Sequence, residues 1–324
     1  MNAPAEQLQV SVVIPVYCGA ETIGPLVDLL IESLKTKFTF EIILVNDCSP
    51  DQAEQVCTSL YQKYPAYISF LSLAKNVGEH NAVMAGLNQS CGSWVFIVDD
   101  DFQNPVSEVV KLISYSLASA FDVVYTQYPK KNHSLFRNLG SWFNDKVATF
   151  MLQKPANLYL SSFKGINRFL VDEIVKYTLP FPYIDGLVLR TTSNIGKIEV
   201  EHRERTKGKS GYTFKKLVSL WINTFTNFSV IPLRIATGMG FAFAFLGFLI
   251  VIEMIIERAT NPSFPHGYVF LVLLITMFAA IQLISIGIAG EYIGRMFMYQ
   301  NKKPQYSICR MLTKENTEAD SEKK

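Results

Sequence analysis

From Tyr268 to Gly290 no residue carries a charge. A helix needs roughly 20 apolar residues to cross the ~30 Å hydrocarbon core of a bilayer, and this run is long enough. A second stretch, Pro232 to Ile256, is nearly as apolar. Its exceptions, Arg234 and Glu253, lie close to its ends, where they can reach the interface. The connection, Glu257 to Gly267, is short and holds Pro262 and Pro265. The pattern predicts a transmembrane helical hairpin with both chain ends on one side. The competing arrangement is two buried helices of a soluble core. Lys215, Lys216 and Arg234 precede the hairpin, and Arg295, Lys302, Lys303 and Arg310 follow it. The connection offers only Arg258 and His266. Basic residues stay on the cytoplasmic side, so the bulk of the chain is expected there. Gly238, Gly240, Gly247, Gly287 and Gly290 would let two helices approach closely.

The chain has 324 residues, enough for one large domain and an appendage. Its formal charge of +2 gives no basic field of the kind that attracts nucleic acid. Cys18, Cys48, Cys57, Cys91 and Cys309 are odd in number and form no C-x-x-C pair, so free thiols in a reducing compartment are expected, without zinc or disulfides. Met1 to Val10 lacks the basic start and apolar core of a signal peptide. In 213–230, Leu217, Leu220, Trp221, Phe225 and Phe228 recur at helical spacing beside Lys215 and Lys216, as in a helix lying in the headgroup plane. Leu135, Leu139, Trp142, Phe143, Val147 and Phe150 do the same in 134–152, where an ordinary amphipathic helix fits equally. The expected organisation is a cytoplasmic domain over 1–212 and an interfacial helix over 213–230. A transmembrane hairpin over 231–295, with spans at about 232–256 and 268–290, and a cytoplasmic tail over 296–324 follow. The charged end, Lys314 to Lys324, reads as disordered.

Within the first domain, strands and helices alternate. Val10–Val16, Glu41–Val45, Ile68–Leu73 and Trp94–Val98 read as strands. Thr22–Leu34, Gln52–Tyr64 and Asn76–Leu87 read as helices, the last with Asn76 as N-cap. This order implies an α/β fold with a mainly parallel sheet covered on both faces. Such sheets bind ligands beyond the carboxyl ends of their strands. Those ends read Tyr17-Cys18-Gly19-Ala20-Glu21, Asn46-Asp47-Cys48-Ser49-Pro50-Asp51, Lys75-Asn76-Val77-Gly78 and Asp99-Asp100-Asp101-Phe102-Gln103. No G-x-G-x-x-G and no Walker loop occurs, which argues against dinucleotide oxidoreductases and P-loop NTPases. Three adjacent carboxylates at the end of a buried strand repel one another. A divalent cation bound to a substrate diphosphate would relieve this, and hard oxygen donors suit Mg²⁺ or Mn²⁺. A solvated acidic turn is the alternative.

Several ordered motifs carry a resemblance. They are Val13-Ile14-Pro15-Val16-Tyr17, Asn46-Asp47-x-Ser49-x-Asp51, Asn76-x-Gly78-x-x-x-Ala82-x-x-x-Gly86 and Asp99-x-Asp101-x-Gln103-x-Pro105. Further along come Arg205-x-x-Gly208-x-Ser210-x-Tyr212, Pro232-Leu233-Arg234, Gly290-Glu291-Tyr292-Ile293-Gly294-Arg295 and Lys303-Pro304-x-Tyr306. Together they resemble the family 2 inverting glycosyltransferases, and more narrowly the polyprenyl-phosphate glycosyltransferase group. The resemblance implies a nucleotide-diphosphate-sugar transferase fold of the GT-A-like kind, with a C-terminal two-helix hairpin. It implies transfer from a nucleotide-diphosphate sugar, UDP-linked ahead of GDP-linked, to a polyprenyl phosphate such as undecaprenyl or dolichyl phosphate. The setting would be a bacterial inner membrane, the role cell-envelope glycan or lipid modification, and the assembly a homo-oligomer. Mg²⁺ or Mn²⁺ would be the cofactor. Asp47 would contact the base, and the backbone of Pro15 to Tyr17 with Glu21 would border the nucleoside. Asp101 and Gln103 would ligate the metal, with Asp99 near the ribose or a metal-bound water and Asp100 a variable middle position. Arg205, Ser210 and Tyr212 lie on the segment expected to close over the diphosphate.

Three departures from the family pattern stand out. Cys18 and Gly19 stand where Asn-Glu is usual, with Glu21 as a substitute, and Gly211 replaces a Lys. Ser162, in Leu160-Ser161-Ser162-Phe163-Lys164-Gly165, stands where many members carry an Asp proposed as catalytic base. A hydroxyl acceptor must lose its proton to a base as it attacks. A phosphate monoester, with a second pKa of about 6, is already mostly dianionic and needs none. It needs cations instead, and Arg137, Lys164 and Arg168 are the expected holders, with Lys130 and Lys131 as outer guides. Ser162 thus favours a phosphate acceptor. A family 2 transferase acting on a saccharide hydroxyl, and a degenerate non-catalytic scaffold or sugar-nucleotide sensor, are the other readings. Sugar contacts are expected in Pro180–Leu189, around Tyr183 and Asp185.

Overall fold

The computed structural model describes residues 8–128, 154–155, 158–201, 231–260, 268–301 and 304–313. The chain divides into two compact units, Met1–Gly211 with Pro304–Lys324, and Tyr212–Lys303. In the first, β1 (Val10–Val16), α1 (Ile23–Leu34), β2 (Phe40–Asn46), α2 (Ala53–Lys63), β3 (Ile68–Leu73), α3 (Glu79–Gln89), β4 (Trp94–Ile97) and α4 (Val106–Ala118) alternate. Then come β5 (Val123–Gln127), β6 (Lys164–Asn167), α5 (Arg168–Ile174), α6 (Ile184–Thr191) and β7 (Ile195–Glu199). The second unit holds α7 (Ile231–Thr260) and α8 (Tyr268–Gln300), after which the chain returns to the first unit as β8 (Ile308–Leu312).

One sheet runs β7-β5-β6-β4-β1-β2-β3-β8. β1 lies parallel to β2 and β4, and β2 parallel to β3. β6 is antiparallel to both its neighbours, and β8 is antiparallel to β3. Parallel neighbours need crossovers, which put helices on both faces. Val10, Val12, Ile14 and Val16 face one layer with Ile23, Leu26, Val27 and Leu30 of α1. On the other face α3 packs so closely that a Cβ on Gly86 would lie 2.3 Å from Val13 Cγ1. That contact explains why the fourth residue after Ala82 is glycine.

Two expectations shift. The helix predicted from Asn76 begins at Glu79, because the amides of Val77 and Gly78 turn to bond Asp47 and Gly78 adopts φ +89°. The expected tail contributes β8, in register Phe70↔Leu312 and Leu71↔Met311. Tyr61 Oη donates to the Thr313 carbonyl at 3.0 Å, and Ala74 N to the Ser307 carbonyl at 2.8 Å.

In the second unit, α7 and α8 are each long and apolar enough to cross a membrane, and only 6% of Leu233–Ile250 and none of Met277–Gln300 is buried. Phe241, Phe245, Phe248, Leu283 and Ile286 are exposed. Helices of a soluble core bury such side chains, so the exposure accords with the spanning reading. Of the five glycines expected to ease packing, Gly247 meets the other helix, where a Cβ would lie 3.3 Å from Phe278. The remaining four have open space at that position.

Candidate active site

The loops after β1, β2, β3 and β4 interlock at the carboxyl edge of the sheet. Three non-glycine residues there hold left-handed backbone, Cys18 at φ 58°, Cys48 at 50° and Phe102 at 61°. Side chains tie the loops together. Cys18 N donates to Ser49 Oγ at 2.7 Å, and Ala20 N to Asp51 Oδ2 at 3.0 Å. Ser49 Oγ also donates to Asp51 Oδ1 at 2.5 Å, and Ala53 N to the same oxygen at 3.0 Å. Desolvation raises the Asp51 pKa, but these hydrogen bonds together outweigh it and hold the carboxyl below its ordinary value.

Asp47, only 3% exposed, accepts from Val77 N at 2.8 Å and Gly78 N at 2.9 Å. Burial raises its pKa against those two bonds. The side chain expected at the base therefore also fixes the β3 loop. Pro15 is half-buried within β1, Tyr17 is half-exposed at the lip, and Glu21 is exposed just before α1.

The acidic loop is anchored on both sides. Tyr17 N donates to Asp100 Oδ2 at 3.2 Å. A Cβ on Gly19 would lie 2.2 Å from that same oxygen. Asp100, expected as a variable middle position, thus seats the first loop, and the family-atypical Gly19 leaves room for it. Gln103 N donates to Asp101 Oδ1 at 3.1 Å, closing the turn through Phe102. On the far side Ser162 Oγ donates to Asp99 Oδ2 at 2.7 Å. The β4–β6 register, Ile97 opposite Lys164, carries Asp99 and Ser162 to facing positions.

Two expected phosphate holders are corrected. Lys164, 3% exposed, is ion-paired with Asp185, which also accepts from Tyr125 Oη at 2.8 Å. The Lys164 ammonium lies 5.1 Å from the Tyr125 ring centroid. Its charge is committed, and removing either partner would strand a buried charge. Arg168 starts α5 at the opposite end of β4, where Nε and Nη2 donate to the Gly92 carbonyl at 2.9 and 2.7 Å and Nη2 to Ser90 Oγ at 3.2 Å. It braces the entry to β4, on the wrong edge to meet a ligand at Asp99. Arg137, Arg205, Ser210, Tyr212, Lys130 and Lys131 lie outside the described residues, as do the segments 134–152 and 213–230.

Glu79 and His80 were overlooked because the strand-end motif was read only as far as Gly78. Glu79 opens α3, where water reaches its side chain. Lost hydration raises its pKa to about 7, with Asp99, Asp185 and Asp100 adding and Lys164 opposing. His80 is lowered to about 4 by burial, with Lys164 adding and Asp185 opposing, so it is neutral near pH 7. Its ring meets Tyr183 edge-on at 5.3 Å. Of the expected sugar contacts, Tyr183 thus packs on the start of α3, and Asp185 is buried with Lys164.

Residues 11–175 match the family described as glycosyl transferase family 2. The chain belongs to that family. It is 30% identical over 321 residues to undecaprenyl-phosphate 4-deoxy-4-formamido-L-arabinose transferase of Yersinia enterocolitica, covering 97% of each chain. The Yersinia pestis protein of the same name is 30% identical over 325 residues, 98% of this chain and 97% of that one. Among solved structures, glucosyl-3-phosphoglycerate synthase of Mycobacterium tuberculosis with Mn²⁺ and UDP-glucose gives a TM-score of 0.49 at 17% identity, over 68% of this chain and 77% of that one. The family 2 chain has the expected mostly parallel sheet with helices between its strands, and two apolar C-terminal helices.

The donor set of this family 2 site suits a hard divalent cation. Asp99 and Asp101 at the end of β4 offer hard oxygen donors, and Mg²⁺ is often held by one or two carboxylates with substrate phosphates. The negative surroundings that help raise Glu79 are what such a cation would offset.

Proposed function

We propose that this protein is a membrane-anchored inverting transferase that moves a sugar from a nucleoside diphosphate, UDP ahead of GDP, to a polyprenyl phosphate. The observation that carries the acceptor is the Asp99–Ser162 hydrogen bond. At the position where many family members carry an Asp proposed as catalytic base, this chain has a hydroxyl that donates to Asp99. A lipid phosphate attacks as a dianion and needs no base there. Whole-length similarity to undecaprenyl-phosphate sugar transferases, hairpin included, supports the same acceptor.

In this reading the nucleoside sits against Tyr17, Asp47 and the loop to Gly78, with Ser49 and Asp51 keeping the β1 and β2 loops in place. Asp101 and Gln103 would hold Mg²⁺ or Mn²⁺, with Asp99 beside them. The cation would neutralise charge developing on the leaving diphosphate. Asp100 sets the height of the acidic loop against Tyr17. Arg137, Arg205, Ser210 and Tyr212 remain the proposed contacts to the two phosphate groups. The catalytic unit would face the cytoplasm, and the protein would assemble as a homo-oligomer.

One observation favours a saccharide hydroxyl acceptor instead. Glu79, titrating at about 7, could take a proton. The deciding experiment uses purified full-length protein with Mn²⁺ or Mg²⁺, undecaprenyl phosphate and a panel of UDP- and GDP-sugars, read by mass spectrometry. Undecaprenyl-phosphate sugar should form, should be lost in Asp101→Ala and should survive Glu79→Gln. Transfer only to saccharide hydroxyls, abolished by Glu79→Gln, would reverse the conclusion.

A further inference from the structure

The motif ending in Tyr306 was singled out in the sequence, and the proposed mechanism gives it no task. Its neighbour Gln305 makes an unusual pair of bonds. The Gln305 side-chain amide, through Nε2, donates to the Tyr177 carbonyl at 2.7 Å and to the Leu179 carbonyl at 2.8 Å. Both amide hydrogens are thereby used. The two acceptors belong to residues 175–183, the irregular link between α5 and α6. Backbone carbonyls in such a link lack a ladder and need partners.

The same link ends at Tyr183, which touches His80 at 5.3 Å. Two residues later, Asp185 is held by Lys164 and Tyr125. The link is therefore gripped near both ends, by a buried ion pair at α6 and by Gln305 near α5. Gln305 is itself held. Two residues on, the Ser307 carbonyl accepts from Ala74 N, and β8 completes the sheet beside β3. Gln305 lies beyond α8 in the chain, yet it belongs to the catalytic unit.

We propose that Gln305 is a positioning residue for sugar transfer. By holding the Tyr177 and Leu179 carbonyls, it keeps Tyr183 packed on His80 at the start of α3. The role rests on the transferase reading above. It predicts a split between nucleotide binding and transfer, since Ser49, Asp51 and Asp100 tie the nucleoside-side loops through bonds of their own.

The test uses full-length protein in lipid nanodiscs, with Gln305→Ala and with Gln305→Lys, whose ammonium can donate to both carbonyls. UDP with Mn²⁺ is the binding probe, and transfer is measured with undecaprenyl phosphate and the sugar nucleotide found active in the panel. In Gln305→Ala, kcat should fall about tenfold, since small misplacements near the reacting groups are costly. UDP affinity should stay within about twofold and Tm within about 2 °C. Amide exchange should accelerate over 175–183. Gln305→Lys should recover kcat to within about threefold of the parent. Unchanged kcat would overturn the proposal, as would a parallel loss of UDP affinity, Tm and kcat, which marks a general folding role. If no sugar nucleotide turns over, the transferase reading fails. Exchange then decides alone whether Gln305 holds the link, and unchanged exchange over 175–183 in Gln305→Ala would overturn that too.

Discussion

Gly19 and Asp100 make sense only as a pair. The oxygen of Asp100 that accepts from Tyr17 N occupies the place a Cβ on Gly19 would take. Gly19→Ala must push the acidic loop away or tilt the β1 loop, a cost of about 1–3 kcal/mol. Asp100→Ala alone loses the bond to Tyr17. In the double variant the clash has gone, so the two losses should fall short of adding by about 0.5–3 kcal/mol. Denaturant melts of the four proteins measure this, and strict additivity would refute the pairing. Glu79 offers a test by pH. Its carboxyl titrates at about 7 when folded against an ordinary 4.5. Between those values the folded protein holds a proton the unfolded chain has released, so stability falls as pH rises through that window. His80 works oppositely, at about 4 folded against 6.5, and adds stability as pH rises between them. The opposed slopes mask each other in the parent. Glu79→Gln removes only the first, so in EDTA the variant should gain on the parent between about pH 4.5 and about pH 7. A constant difference in Tm across that range would rule out the raised carboxyl.

At the scale of elements, β1 to β3 lie close to where their apolar runs placed them, because a buried parallel strand announces itself by composition alone. α3 was misplaced at its start because the competing partner of its first amides, Asp47, is distant in sequence. β6 and β8 were invisible for a related reason. Lys164-Gly165-Ile166-Asn167 and Ile308-Cys309-Arg310-Met311-Leu312 have mixed composition, and only the neighbouring strands make them strands. The roles of Lys164 and Arg168 were misjudged in the same way. Sequence shows that a cation exists, whereas its partners, Asp185 and the Gly92 carbonyl, appear only when β6 is laid against β4. β8 carries its own prediction. Every residue of β3 is buried, so without β8 an apolar strand would become a sheet edge. A chain stopped after Lys303 should lose more than about 5 °C in Tm and should self-associate. Adding a peptide of residues 304–313 in trans should partly restore both. A truncated protein as stable and monodisperse as the parent would mean that β8 contributes nothing to the sheet.

At the scale of the molecule, the apolar helices decide where the chemistry can occur. A polyprenyl phosphate stays at the bilayer surface, so a transferase that uses it gains by being tethered there. The uncharged run in α8 was legible from sequence because hydrocarbon tolerates few charges, whatever the helix packs against. Basic residues on both outer flanks and few in the connection predict that the connection alone crosses to the far side. This can be tested in whole cells, using a parent in which Cys18, Cys48, Cys91 and Cys309, the four exposed thiols, are replaced by serine. Ser263→Cys, in the connection, should react with a membrane-impermeant maleimide in intact cells once the outer layers of the envelope are permeabilised. Ser321→Cys, near the C-terminus, should react only after the inner membrane is broken. The reverse pattern would put the catalytic unit outside, where no nucleotide sugar is supplied, and would remove the donor from the proposed reaction. Reaction of both positions in intact cells would mean that α7 and α8 do not form a spanning hairpin. The lipid phosphate acceptor would then lose its physical basis, because nothing would hold the site at the bilayer.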